Sequence, residues 1–403
     1  MEKQLRLKKI DAKKMFSRTG QSEGWPVCLR LMLLTGTLLL TFHALGNSPD
    51  AIPSTPGWYS VPASALENVC PPATEEYDFR GSCRYVVAAW NGGIADTKLN
   101  RLLLWGGGHA DYAGNELYAF DVNSLQMQRL NEPSPINSSS ACVETLSDDK
   151  PNSRHTYSGL AYIAHAHRMF SFGGGLNKCG FFSNTTWTLD LDTLQWKNMK
   201  PEGGAPTALA GVIADYDLNS RSVFLHDTAD LWQYDFDRNR YKKVGTNEAI
   251  NYHMNGVIDP KRKLFFIMGA AGSPGGGLKV ISVAPGSNYS MRDWSSSASA
   301  TCGPLLTASS PGLSYDSVID RIVGWPNFGD RVYLFDPDSK TCTSETFSGG
   351  PPDSSHQGSP HTSNGTFGRF RYFPDKDAFV LVNQAGNNVY TLRLSAAKKV
   401  EPH

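Results

Sequence analysis

Five short stretches of the 403-residue chain concentrate side chains that turns do not need. They are His109, Asp111, Tyr112 and Asn115; Arg154, His155 and Tyr157; His226 and Asp227; Tyr252, His253 and Asn255; and Asn364, Arg369 and Arg371. Turns ordinarily draw on Gly, Asn, Asp, Ser and Pro, so recurring His, Tyr and Arg point to a chemical site. Imidazole titrates near neutrality and serves as base or acid. Tyr adds a second proton-transfer group, and Arg grips a carboxylate through two parallel hydrogen bonds. Together these groups suit β-elimination from a uronate-containing polysaccharide. A cation neutralises the carboxylate, a base takes the adjacent proton, and an acid protonates the departing glycosidic oxygen. On this reading His109, His155, Tyr157, Arg154, Tyr252, His253 and Arg369 are the catalytic candidates. Asp111, Tyr112, Asn115, His226 and Arg371 are the substrate-binding candidates.

Two other chemistries draw on the same residues. His109, Asp111, His155, His226 and His253 offer imidazole and carboxylate ligands to zinc, manganese or copper. None of these five is joined to another by an HxH or HExxH spacing, so a divalent metal is a secondary expectation and no ligand set is assigned. A paired-carboxylate glycosidase would have only Asp111, Asp227 and Asp230 to draw on.

The elements that must position these side chains repeat along the chain. The pattern is a short apolar strand, a loop rich in Gly, Asp or Asn, then an aromatic strand and a turn. It occurs as RLLLWGGGHADYAGNELYAFDVNSLQMQRL from Arg101, and as RMFSFGGG from Arg168 with NTTWTLDLDTLQWKNM from Asn184. It returns as SVFLHDTADLWQYDFDRNRYKKV from Ser222, and as KLFFIMGAAG from Lys263 with GLKVISVAPG from Gly277. RIVGWPNFGDRVYLFDPDSKTCTSETF from Arg321 and AFVLVNQAGNNVYTLRL from Ala378 complete the series. Alternating apolar and polar residues mark strands. Each unit supplies four strands, and a lone four-stranded sheet cannot bury both faces. Radial stacking of several such sheets buries them, which is the β-propeller solution. The last unit is one strand short, and Gly57 with the WYSVP that follows supplies the missing one. The expectation is an all-β propeller of six blades, four antiparallel strands each, closed by the N-terminal strand. A seventh, degenerate blade around residues 276–312 is the alternative. No sustained helical period follows residue 46. In an antiparallel meander the d–a and b–c loops emerge on one face, and all five stretches fall there. His165 and His167 fall in an a–b loop on the other.

The double-glycine strand ends (WGGGH, FGGG) and the aromatics Tyr118, Phe120, Trp187, Trp196 and Trp232 resemble kelch repeats and the central propeller of galactose oxidase-like proteins. The resemblance covers most of residues 57–394. It implies the propeller fold and, for galactose oxidase itself, a copper held by two His and two Tyr with one Tyr crosslinked to Cys. Tyr252-His253 is the matching dipeptide, but it lies in the fourth unit, not in a late blade. A copper oxidase is therefore the third functional reading. The second is a non-catalytic kelch-type module binding protein or glycan, with Trp325, Phe328, Phe181 and Phe182 in or near b–c loops as stacking surfaces. The first is a lyase-like enzyme, similar to certain ulvan lyases in placing His, Tyr and Arg on a propeller.

Composition fits these readings. Hydrophobic residues make up 40% and charged residues 19%, enough apolar material for a core. Lys and Arg (38) balance Asp and Glu (38), which argues against a nucleic-acid binder. The balance hides an asymmetry: residues 1–46 carry eight basic and three acidic residues. An apolar run from Leu31 to Phe42 and the small residues of Ala44-Leu-Gly46 follow, reading as a secretory signal peptide, with a retained membrane anchor as the alternative. The domain expectation is 1–46 as signal and 47–403 as one propeller, exported to the periplasm or secreted. Setting aside Cys28, six cysteines remain, and local pairing is expected: Cys70–Cys83, Cys142–Cys179 and Cys302–Cys342.

Overall fold

Six four-stranded antiparallel sheets form from the six repeats. The computed structural model describes residues 51–75, 77–135, 142–179, 181–352 and 364–395. By its contacts the chain divides into Met1–Gly46 and Asn47–His403. Residues 1–46, with the signal-or-anchor expectation and Cys28, lie outside the described residues.

The innermost strands, one per blade, are Gly93–Asp96, Leu160–Ile163, Ile213–Asp217, Asn255–Asp259, Gly312–Asp316 and Phe370–Phe373. Strand alternation divides side chains between neighbouring blades. In Ser222–His226, Val223 and Leu225 pack with Phe170 and Phe172 of blade 2. Phe224 turns the other way, onto Phe265 and Ile267 of blade 4. The outer turns repeat a capping device. Asp121 accepts from the backbone N–H groups of Asn123 and Ser124, and Asp190 from those of Asp192 and Thr193. Asp336 does the same for Asp338 and Ser339. This is the turn that an Asp two residues upstream stabilises, so the DVNS, DLDT and DPDS motifs are structural.

Ring closure follows the expected route. Gly57–Ser60 pairs antiparallel with Tyr390–Arg393, Trp58 standing opposite Leu392. Trp58 is buried, lies 6.3 Å from the rings of both Trp325 and Phe370, and donates its indole N–H to Asp330 O at 2.9 Å. All three disulfides pair as expected, with Cα separations of 6.0, 4.8 and 5.5 Å. They fit an oxidising, extracytoplasmic setting. Among the described residues no helix is long and apolar enough to cross a membrane.

Residues 276–312 do not form a seventh blade. Gly277–Ser282 and Met291–Asp293 complete blade 4, and Ser295–Thr307 is an α-helix. Its sequence, SSSASATCGPLLT, carries only a weak apolar face, diluted by serines and interrupted by Gly303 and Pro304, so helical periodicity did not reveal it. Tertiary packing sustains it: Ala298, Leu305 and Leu306 are buried, and Cys302 is bonded to Cys342 of blade 5.

Candidate active site

His155 stands on a small ladder outside the blades, Arg154–His155 paired with Gly175–Leu176. Two glycine-rich loops clamp it. Gly107 N–H donates to Arg154 O at 3.0 Å, and His109 N–H to Gly175 O at 3.2 Å. Gly108 (φ +81°) and Gly174 (φ +95°) press so closely on the His155 backbone that a β-carbon on either would collide with it. The WGGGH and FGGG strand ends are thus the supports of one side chain.

The imidazole it holds is buried at 4% exposure. His155 Nε2 lies 2.7 Å from Asp111 Oδ2. A carboxylate there accepts the Nε2 proton and leaves Nδ1 as the lone pair. Nδ1 faces Gly175, in a space that the rings of Phe182 and His109 also border. The exposed His109 ring stacks on His155 at 5.7 Å, and Trp90 lies at 5.2 Å. Tyr157 meets His155 edge-on at 6.1 Å. Its backbone is left-handed (φ +48°), and its N–H is held by Trp90 O at 2.7 Å. Burial pushes the Tyr157 hydroxyl up to about 12, with Tyr252 and Asp111 adding to the shift. It therefore keeps its proton at neutral pH and has one to donate.

Four of the expected residues, His109, Asp111, His155 and Tyr157, thus meet at one rim. Tyr252, exposed on the same face, lies close enough to act electrostatically on Tyr157. His253 shares the face but turns to Ser309, with Nδ1 2.9 Å from its hydroxyl; burial lowers its pKa. Trp90 and the exposed Lys178, whose N–H donates to His109 O at 2.6 Å, also belong to the rim. Their surroundings, Asn91-Gly92-Gly93 after Trp90 and the FGGG loop before Lys178, signal turns, but nothing in the sequence says that these two side chains border the rim.

The remaining expected residues serve elsewhere. Arg154 is wholly buried: Nε donates to Asn152 O at 3.1 Å, Nη1 to Ser183 Oγ at 3.0 Å, and Nη2 lies 3.6 Å from Glu144 Oε2. Burial pushes it down to about 10. Arg369, also buried, donates to Asn91 O, to Val382 O at 3.0 Å and to Gly365 O at 2.6 Å. Loops converging on the channel leave carbonyls without sheet partners, and a guanidinium satisfies several at once. Both arginines brace the rim and neither reaches its open surface. Arg371 donates to Gly368 O at 3.1 Å and lines a cavity within the channel. Tyr112 donates its hydroxyl to the buried Glu116, and Asn115 donates to Ser134 Oγ at 2.9 Å and Pro151 O at 3.0 Å. Asp227 caps its own turn through the N–H groups of Ala229 and Asp230. Trp325 is buried beside Trp58 and offers no stacking face, whereas Phe181, Phe182 and Phe328 are exposed. His165 and His167 lie in the a–b loop that faces the other end, bonded to Tyr216 and to Asp96 and Asp192.

His226 is not a loop residue but the last residue of Ser222–His226, opposite Ile213 and Leu231. It is fully buried, and neither ring nitrogen has a partner among the described residues. Burial pushes its pKa down from 6.5 to about 4. A His kept neutral in the fold binds its proton more readily when unfolded, so stability falls as pH drops from 6.5 toward 4. The loss amounts to about 3 kcal/mol. Urea titrations across that range should show this slope, and His226→Leu should flatten it. An unchanged slope would place the acid sensitivity in other groups.

No protein-family model and no curated protein matches the chain. Among solved structures it is similar to a gluconolactonase from Xanthomonas campestris, at 11% identity and a TM-score of 0.47, over 77% of this chain and 88% of that one. That likeness is too slight to carry any residue across.

The chemistry is therefore read from the rim itself. Among the described residues no three His, Cys, Asp or Glu side chains gather as a metal-binding group. All six described cysteines are in disulfides, so none of them is a thiol available for a Tyr–Cys crosslink. What the rim does offer is an oriented imidazole, a protonated phenol, a second imidazole and an exposed ammonium.

Proposed function

We propose that this exported, kelch-like propeller is a carbohydrate-acting enzyme that moves protons at the Asp111–His155–Tyr157 rim. In its first reading it is a lyase on a uronate-containing polysaccharide. The observation that carries the proposal is the 2.7 Å contact of His155 Nε2 with Asp111, which frees Nδ1 as base beside a phenol that keeps its proton. In the elimination, His155 Nδ1 takes the proton α to the carboxylate. The electron pair forms a double bond to the neighbouring carbon, the glycosidic C–O bond breaks, and Tyr157 protonates the departing oxygen. With Arg154 and Arg369 buried and committed to partners within the fold, Lys178 is the exposed cation beside His109 for the uronate carboxylate.

The purified protein should raise ultraviolet absorbance, from new unsaturated ends, with at least one member of a panel of uronate polymers. Silence across the panel with folded protein would overturn the lyase reading. A binding module without catalysis is the second reading, favoured by the exposed rings of Phe181, Phe182 and Tyr252 on this face. Glycan affinity that survives unchanged in the absence of any turnover would select it.

A further inference from the structure

The channel holds a second polar site, distinct from the rim. Near the rim the channel is bridged: Asn255 Nδ2 donates to Pro311 O at 2.8 Å and Phe367 O at 2.6 Å, and Ser158 Oγ donates to Asn255 Oδ1 at 2.7 Å. Toward the opposite end lies a cavity of about 210 Å³. Thr97, Ala164, Leu218, Pro260 and Pro374, from the a–b turns of five blades, edge it. Its tyrosines spend their hydroxyls on those turns. Tyr216 pairs with His165 Nδ1 at 2.6 Å, and Tyr315 and Tyr372 donate to Asp320 and Asp377, each at 2.8 Å.

Deeper in, Ala95, Ala161, Val257 and Ser314 keep the wall small, and two charges face the space: Arg371 and Asp215. They stand on blades 6 and 3, opposite one another in a ring of six. Arg371 Nε donates to Gly368 O at 3.1 Å and Nη2 to Gly93 O at 3.4 Å, while Nη1 bonds nothing among the described residues. Asp215 accepts from Tyr216 N–H at 2.9 Å and Ile258 N–H at 2.7 Å, which leaves lone pairs on both oxygens. Burial lowers the pKa of Arg371 and raises that of Asp215, and each charge partly offsets the other's shift. Yet no ion pair joins the two groups. Two opposite charges out of bulk water and held apart are costly unless something bridges them.

We propose that this cavity binds a small zwitterion of amino-acid type, its carboxylate on Arg371 and its ammonium on Asp215. The guanidinium presents its free edge as a carboxylate donor, and the carboxylate opposite accepts the ammonium. The volume lies below the roughly 300–1,000 Å³ of sites for drug-sized ligands, which sets the size class.

Calorimetry on the full chain with β-alanine and γ-aminobutyrate, against propionate and propylamine, tests this. The zwitterions should bind saturably, and each single-charge compound about tenfold more weakly or worse, having lost one charge-assisted contact. Arg371→Gln and Asp215→Asn should each weaken zwitterion binding by a similar factor. Ala161→Leu, which adds bulk to the cavity wall at a residue that carries no charge, should abolish it and leave activity at the rim intact, with circular dichroism checking that this buried position accepts the larger side chain. No saturable heat, equal binding of propionate and β-alanine, or undiminished binding by Ala161→Leu would overturn the proposal. Should the charge variants fail to fold, the ligand comparison and Ala161→Leu decide it.

Discussion

His155→Ala should lower turnover on the responsive polymer by about a hundred- to ten-thousand-fold, the contribution expected of a positioned proton-transfer group. The Michaelis constant should move little, because the ring faces the reacting bond while the surrounding aromatics remain. Asp111→Asn should reproduce much of the loss: it removes the charge that fixes the imidazole tautomer 2.7 Å away. Both variants should fold, since the ladder under His155 is held by backbone bonds and by the close approach of Gly108 and Gly174. Steady-state kinetics beside circular dichroism checks the pair. Activity within a few-fold of the parent in His155→Ala would remove His155 as the base and shift attention to His109, stacked upon it.

Trp58→Ala should cost about 3–5 kcal/mol, the range for removing a large buried aromatic side chain. Trp58 is the buried anchor of the strand that shuts the ring. Its loss empties the space beside Trp325 and Phe370 and leaves Asp330 O without its indole donor. Among the described residues no disulfide spans that closure, since Cys70–Cys83, Cys142–Cys179 and Cys302–Cys342 each staple residues local in sequence. Packing and the Gly57–Ser60 ladder must therefore hold it. Denaturant unfolding measures the change, and a shift below about 1 kcal/mol, smaller than a typical core truncation, would show that closure rests elsewhere.

Much of the architecture was legible because it is written in local patterns. A period of two marks a strand wherever it occurs, Asp in a DxNS-type turn caps its own backbone, and neighbouring cysteines close short loops. Antiparallel alternation then assigns each loop to a face, and with it His109, Asp111, His155 and Tyr157 to one end of the ring. The helix Ser295–Thr307 escaped because its Ser- and Ala-rich sequence carries only a weak apolar face and its order comes from the partners it packs against.

By itself the sequence determined the strands, their grouping into blades and the end of the molecule each loop occupies; it favoured local cysteine pairing, which the structure then fixed. Only the tertiary structure decided where the polar side chains on those loops point. A guanidinium goes to whichever carbonyls are left unpaired, and for Arg154, Arg369 and Arg371 these include oxygens of segments far away in the chain, such as Gly173, Asn91 and Gly93. His226 sits one residue short of its turn, and there the parity of the strand carries an imidazole into the interior. Strand period is a property of neighbours in sequence, whereas the destination of a long polar side chain is set by neighbours in space.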